Sequence, residues 1–136
     1  MAVIQPGICS CFIQIWVNSN ALLNSKATGI YLVDNTLHDG GSNEGSANLL
    51  TVVNTGTYIC WTLLNIDPVS GMQLRIRSFG DADIFGAGGA PQMVNATTWT
   101  GQAQAEGTDR YAINFSAFNS CSTPILTRVT PSLKAG

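Results

Sequence analysis

The sequence predicts one all-β domain, an antiparallel two-sheet sandwich or jelly roll of about eight strands. The length of 136 residues suits a single domain with one hydrophobic core. Several segments alternate apolar and polar residues with a period of two, which is typical of half-buried strands. Clusters of Gly, Asn, Asp and Ser separate these segments at intervals that suit short strands and turns. No segment keeps a helical period over three turns, so residues 1–136 are interpreted as a single β-sandwich domain.

The strands follow from the alternation. Between residues 73 and 77, Gln and Arg alternate with Leu and Ile, and residues 111–118 show a similar pattern. Only residues 21–26 have the composition of a helical turn. The predicted strands cover about 8–18, 28–35, 47–54, 57–65, 72–79, 91–99, 109–118 and 124–130. Turn signals separate them at 39–43, 54–56, 67–71, 86–89 and 105–108.

The first strand is apolar on both of its sides. Phe12 and Trp16 point to one side, and the opposite side carries Cys9, Cys11, Ile13, Ile15 and Val17. A strand with one solvated face would carry more polar residues on that face. We therefore expect this strand to lie centrally in a sheet or in a subunit contact, with Phe12 and Trp16 covered by the fold or by a neighbouring subunit.

The composition favours self-association over charged partners. Charged residues make up 10% of the chain, against about 25% in an average domain, while hydrophobic residues make up 45%. A net charge of -2 gives little self-repulsion, so a homo-oligomer is expected. Six Lys and Arg residues give no nucleic-acid footprint, and the close pair Arg75 and Arg77 is expected on the solvent face of a strand. No apolar run is long enough to suggest a membrane span.

The N-terminal residues do not resemble a secretory signal, so the expected location is the cytoplasm, where cysteines stay reduced. The cysteine spacing does not fit a zinc or Cys-x-x-Cys redox site. An alternative is an extracellular fibre subunit exported by a non-classical route. In that case disulfides could link chains through Cys9, Cys11, Cys60 and Cys121.

Two polar loops are candidates for ligand binding. The first contains Asp34, Asn35, Asp39, Asn43 and Glu44, and the second contains Asp81 and Asp83. Trp99 is the best candidate for an exposed aromatic ring, although a core position for it is slightly favoured. Together these residues suggest a lectin-like site, because sugars stack on aromatic rings while carboxylates and amides bind their hydroxyls. The simpler interpretation is two solvated loops.

No catalytic or cofactor motif is present in the sequence. His38 beside Asp39 would be two parts of a triad, but no Gly-x-Ser-x-Gly elbow accompanies them. The glycines at 86, 88 and 89 do not form a Gly-x-Gly-x-x-Gly phosphate loop. The sequence therefore predicts a protein that is not an enzyme and needs neither cofactor nor metal.

Several segments resemble one known family. Residues 56–61, Gly-Thr-Tyr-Ile-Cys-Trp, resemble its Gly-Asp-x-Ile-x-Trp strand with Thr57 in place of Asp, and residues 12–17 resemble its first strand. Trp99 and the strand at 111–118 resemble its Trp and its Tyr-rich penultimate strand. Residues 129–133 resemble its closing Trp-Asp-Pro-x-Leu, with the Trp and Asp changed. The family is the PixA/AidA group of bacterial inclusion-body proteins.

The resemblance implies a small cytoplasmic β-sandwich that accumulates in bacterial cells, with no catalytic residues to transfer. Taken with the composition, it predicts a non-catalytic, self-associating protein with a structural or storage-like role. The alternatives are a lectin-like carbohydrate-binding module and the disulfide-linked extracellular fibre subunit.

Overall fold

The computed structural model describes residues 3–19, 29–36, 40–67, 71–119 and 123–136. Within these ranges the chain forms eleven strands and two short 3-10 helices, Pro6–Ile8 and Asp83–Phe85. The strands are β1 (Cys11–Val17), β2 (Ile30–Asp34), β3 (Leu50–Val53), β4 (Tyr58–Asn65), β5 (Gln73–Phe79), β6 (Gln92–Met93), β7 (Thr98–Gln102), β8 (Gly107–Arg110), β9 (Ile113–Phe118), β10 (Ile125–Val129) and β11 (Ser132–Ala135).

The strands form one five-stranded and two three-stranded sheets. Their orders are β2-β1-β4-β7-β6, β10-β9-β5 and β3-β11-β8. Buried side chains from all three sheets meet in one hydrophobic core, so the predicted all-β sandwich is confirmed. The pairing differs from the purely antiparallel prediction, because β1 pairs with β4, and β3 with β11, in parallel. In both cases a long connection that contains other strands brings the chain back in the same direction.

The structure differs from the prediction in two segments and in one further strand. The segment at 91–99 is a hairpin, because the backbone N–H groups of Val94 and Asn95 both donate to the carbonyl of Thr98. The segment at 109–118 is broken at Tyr111, whose N–H donates to Pro131, and its two halves join different sheets. Strand β11 was not predicted. No glycine or proline interrupts residues 92–100, and the pattern at 109–118 has no break either, so the sequence does not signal these changes of partner.

Strand β1 has the alternation that the sequence predicts. Cys11, Ile13, Ile15 and Val17 are buried on the core side, and the residues between them face outward. The strand lies between β2 and β4, which confirms its central position. Trp61 on β4 is fully buried opposite Ile13.

Trp61 stands at the centre of an aromatic cluster in the core. Its indole N–H donates to the hydroxyl of Tyr111 at 3.0 Å. Its ring centroid lies 4.8 Å from that of Phe79 and 5.9 Å from that of Phe85. Burial raises the pKa of Tyr111, so this hydroxyl stays protonated. The hydrogen bond satisfies the two polar groups of the cluster and fixes how the rings pack.

The N-terminal segment, residues 3–9, covers part of the outer side of the five-stranded sheet. The hydroxyl of Thr100 on β7 donates to the carbonyl of Ile4 at 2.6 Å. Thr100 and its cross-strand partner Cys60 face outward, yet they are only 1% and 4% exposed. The segment therefore covers the β4–β7 half of this outer face and leaves the β1–β2 half open.

Candidate functional site

The open half of the five-stranded sheet presents aromatic side chains to solvent. Phe12 is 42% exposed, Tyr31 is 43% exposed, and Trp16 is half-buried. Trp16 is paired with Tyr31 on β2 and with Leu64 on β4, so these side chains lie side by side. We call the outward residues of this region the aromatic face. Its members are Phe12, Gln14, Trp16, Tyr31, Val33 and Leu64.

The indole N–H of Trp16 donates to the side-chain oxygen of Gln14 at 3.1 Å, which orients the ring along the sheet. The sequence predicts that Phe12 and Trp16 are covered by the fold or by another subunit. The chain itself leaves Phe12 largely exposed. Trp16 is half-buried, so the fold covers it only in part.

The β2 edge of the five-stranded sheet is closed by the chain itself. The N–H of Leu32 donates to the carbonyl of Ser46, and the N–H of Gly45 donates to the carbonyl of Leu32 at 2.7 Å. A carboxylate oxygen of Glu44 accepts the N–H of Asp34 at 2.8 Å. Although this edge lacks lysines, the backbone groups of Leu32 and the N–H of Asp34 are occupied, so another chain could not pair with the sheet at these two residues.

The first polar loop uses its side chains to hold its own backbone. Asp34 accepts hydrogen bonds from the N–H of Thr36 at 2.8 Å and from the hydroxyl of Thr51. Asn35 accepts the N–H of Phe12 at 2.9 Å and donates to the carbonyl of Ser10. These bonds join β2 to β1 and β3, which leaves Asp34 and Asn35 little capacity for a ligand.

Two further residues of this loop are described, Asn43 and Glu44. Asn43 has a positive φ of 60° and donates to the carbonyl of Asn48 at 3.3 Å. The second carboxylate oxygen of Glu44 is buried and has no hydrogen-bond partner among the described residues. Burial and the neighbouring carboxyl of Asp34 raise the pKa of Glu44, against the opposing effect of the Asp34 N–H. Asp39 and His38 lie outside the described residues.

The second polar loop lies in a cleft of about 600 Å³. Asp81 and Asp83 line it and are exposed, and the ring of Phe79 forms part of its wall. The carboxylate of Asp109 also lines the cleft and accepts the N–H of Ile84 at 2.9 Å. The cleft therefore has one apolar wall, with three carboxylates and the guanidinium of Arg110 around it.

Trp99 lies behind this cleft and does not line it. Its ring is half-buried on the core side of β7, opposite Trp61, with its centroid 5.3 Å from that of Phe79. Its indole nitrogen is buried and has no partner within the described part of the chain. This is the core side that the sequence slightly favoured, and packing against the core leaves only part of the side chain accessible.

The two polar loops do not converge. Asp34 contacts Thr51 on β3, while Asp109 of the cleft lies on β8, at the other edge of the same sheet. Leu133 on β11, which is buried, pairs with Thr51 on one side and with Asp109 on the other, so it lies between them. Two strand spacings amount to about 10 Å. The combined lectin-like site stays a prediction, and its two loops lie at opposite edges of this sheet.

The described cysteines are buried and free. Cys9, Cys11 and Cys60 are at most 9% exposed, and none forms a disulfide. Burial raises the pKa of Cys9 to about 11 and that of Cys11 to about 12. In this arrangement the three thiols are closed to a neighbouring chain. Cys121, the fourth cysteine, lies outside the described residues.

The described ranges lack two further kinds of feature. No group of three or more His, Cys, Asp and Glu side chains in them is arranged to hold a metal ion. None of their helices is long and apolar enough to cross a membrane. Arg75 and Arg77 are exposed on β5, as the sequence predicts.

Comparison with known proteins identifies a matching family model and a solved structure with a similar fold. Residues 9–122 match the model of a family described as "Domain of unknown function (DUF8788)". The crystal structure of the inclusion body protein PixA from Burkholderia cenocepacia J2315 superposes with a TM-score of 0.71 at 16% sequence identity. The match covers 98% of this chain and all of that one. At this identity it confirms the resemblance in fold. No curated protein matches the sequence.

Proposed function

We propose that this chain, which belongs to the DUF8788 family, is a non-catalytic, self-associating β-sandwich of the cytoplasm with a structural or storage-like role. The observation that carries the proposal is the aromatic face. Phe12 and Tyr31 are each more than 40% exposed on a central and an edge strand of one sheet, with Trp16 between them. Contiguous exposed apolar surface on a soluble domain marks an interaction site.

The remaining surface supports contact through faces rather than edges. Because its own loop closes the β2 edge, a second copy would pack on the aromatic face. Such a contact between identical surfaces is self-complementary, and aromatic residues are enriched at the centres of protein interfaces. A net charge of -2 adds little repulsion between copies. The shared fold with a protein named for inclusion bodies is consistent with this role.

The test is the double variant Phe12→Ser, Trp16→Ser, studied by sedimentation velocity and circular dichroism. We expect the parent protein to associate and the variant to sediment as a folded monomer, because both side chains lie outside the core. A matched control, Gln73→Ser, changes an exposed residue on another sheet and should leave association unchanged. Trp61→Ser should instead unfold the protein, since truncating a buried aromatic side chain costs about 3–5 kcal/mol. A parent protein that stays monomeric at high concentration would refute the proposal.

A second candidate function is carbohydrate binding at the cleft. The partly exposed ring of Phe79 and the exposed carboxylates of Asp81 and Asp83 form the combination that sugar sites use. Glycan-array binding that disappears in Asp81→Asn, Asp83→Asn would support this function. No binding by the folded parent protein, with or without calcium, would exclude it.

A further inference from the structure

The basic residues of this protein are unevenly distributed. Three of its six Lys and Arg residues, Arg75, Arg77 and Arg128, lie on the sheet formed by β10, β9 and β5, and all three are exposed. These three strands contain no Asp or Glu. In a chain with a net charge of -2, one sheet therefore has a purely positive outer surface.

The strand register places two of these arginines on either side of a groove. Ser78, Asn114 and Arg128 form one row across β5, β9 and β10. A β-bulge between Ile76 and Ser78 makes Arg77 an extra residue, and it projects outward beside Ser78. We call this region of about 430 Å³ the arginine groove. It is lined by Arg77, Ser78, Asn114, Leu126, Thr127 and Arg128.

The guanidinium groups of the groove are free to bind an anion. Within the described ranges, neither Arg77 nor Arg128 forms an ion pair or a hydrogen bond, whereas Arg110 donates to the hydroxyl of Thr130 at 3.0 Å. Asn114 donates to the hydroxyl of Ser78 at 3.1 Å and forms a polar floor. Guanidinium groups bind carboxylates through paired hydrogen bonds, and the exposed side chain of Leu126 would shield such a contact from water.

The complementary surface lies on the same protein. Asp81 and Asp83 are exposed in the segment that follows β5, and Asp109 lines the same cleft, where three carboxylates outnumber the single guanidinium of Arg110. No hydrogen bond or ion pair occupies the carboxylates of Asp81 and Asp83 among the described residues. Each copy thus presents a positive groove and a negative segment, which is the charge complementarity that a second copy can satisfy.

We propose that the arginine groove of one copy binds the Asp81–Asp83 segment of a second copy. This inference rests on the proposed function, because it supplies the second contact that a growing assembly needs. The aromatic face pairs with itself, and such a contact alone closes into a dimer. A contact between two different surfaces leaves a free groove and a free acidic segment, so further copies can be added.

The test uses charge reversal in the full chain. One variant is Arg77→Glu, Arg128→Glu, and the other is Asp81→Arg, Asp83→Arg. Each variant alone places like charges in the contact, so we expect its assembly to stop at the dimer, as measured by sedimentation velocity. An equimolar mixture should assemble again, because every groove then meets a segment of opposite charge. Assembly of the parent protein beyond the dimer should also be lost between about 20 mM and about 500 mM salt, since the contact is screened.

The control variant is Arg75→Glu, Lys134→Glu, which makes the same change in net charge outside the groove and should assemble like the parent. Circular dichroism establishes that every variant is folded. The inference is overturned if either reversed variant assembles beyond the dimer, if the folded mixture does not, or if the parent stops at the dimer in low salt. A parent that is monomeric in all conditions refutes the proposed function as well, so the two failures are distinguishable.

Discussion

At the scale of the residue, Glu44 shows how one carboxylate protects a sheet edge. One of its oxygens accepts the N–H of Asp34, while the other is buried without a partner among the described residues. Burial and the Asp34 carboxyl raise its pKa above the ordinary value of 4.5. A raised pKa in the folded state means that folding favours the protonated carboxyl group. The stabilisation that this group contributes is fully present below pH 4.5 and is lost as the pH rises through the folded pKa.

Glu44→Gln is therefore expected to be more stable than the parent protein at pH 7. The amide keeps an acceptor for the Asp34 N–H and carries no charge to repel the Asp34 carboxylate. Because Glu44 is partly solvated, we expect a gain of only about 0.5 kcal/mol in the free energy of unfolding. The gain should vanish near pH 4. Urea unfolding at both pH values measures it.

Glu44→Ala serves as the control for this prediction, since it removes the acceptor as well as the charge. It should be less stable than Glu44→Gln at pH 7. If Glu44→Gln gained more unfolding free energy at pH 4 than at pH 7, the assignment of a raised pKa to Glu44 would be contradicted.

At the scale of the element, the segment from Gly86 to Gly89 is more constrained than its sequence suggests. The composition predicts a flexible polar turn, yet Gly89 is buried, its N–H donates to Phe85 and its carbonyl accepts the N–H of Gln102. These bonds connect the 3-10 helix Asp83–Phe85 to β7. A Cβ atom at Gly89 would lie 2.1 Å from the carbonyl oxygen of Gln102 and 2.4 Å from that of Phe85.

Gly89→Ala is expected to destabilise the protein by about 3 kcal/mol, because both nearby atoms belong to the backbone and cannot move aside cheaply. Thermal unfolding measures the effect. Gly7→Ala is the matched control, since nothing lies within 4 Å of a Cβ there, and it should change stability little. Equal melting temperatures for the two variants would show that the segment is as loose as its composition implies.

At the scale of the whole molecule, the cysteines distinguish a cytoplasmic protein from a disulfide-linked fibre. Cys9 and Cys60 are buried where the N-terminal segment meets the five-stranded sheet, and Cys11 is buried in the hydrophobic core. Burial raises the pKa of Cys9 to about 11, so little thiolate exists at pH 8. Neither the accessibility of these thiols nor their ionisation then favours disulfide exchange with another chain.

In a Cys121→Ser background, we expect thiol-reactive dyes to label the native protein at least about 100-fold more slowly than the urea-unfolded protein at pH 8. The reason is that labelling requires the fold to open. The same protein should run as a monomer on a non-reducing gel. Rapid labelling, or disulfide-linked multimers, would instead support the fibre alternative.

Much of the fold could be predicted, because the patterns that indicate it lie within short stretches of the sequence. Alternation along β1 and β5 identified which side of each strand is buried, because side chains of a strand point to opposite sides at every step. Trp61 lies in an apolar segment and is in the core. Prediction failed where strands change partners, as at Tyr111, where the period of two continues although the hydrogen bonds move to another sheet.

The candidate surfaces were only partly predictable. Phe12 and Trp16 were identified because they are apolar residues on the side of β1 that lies opposite its main apolar row. Arg128 carried no signal, since its closeness to Arg77 depends on how β9 joins two distant strands and on a bulge. The sequence also did not reveal that Leu133 of β11 lies between the regions of Glu44 and Asp83, because that strand was not predicted.

The sequence by itself determined the all-β class, the buried side of each main strand and the low surface charge, since composition and a period of two are local properties of the chain. Only the tertiary structure decided that β1 and β4 run parallel and that the N-terminal segment covers Cys60 but leaves Phe12 open. It also decided that Glu44 closes an edge. These features depend on contacts between residues far apart in sequence. Such contacts are selected by how the whole chain buries its apolar surface, and no local pattern records them.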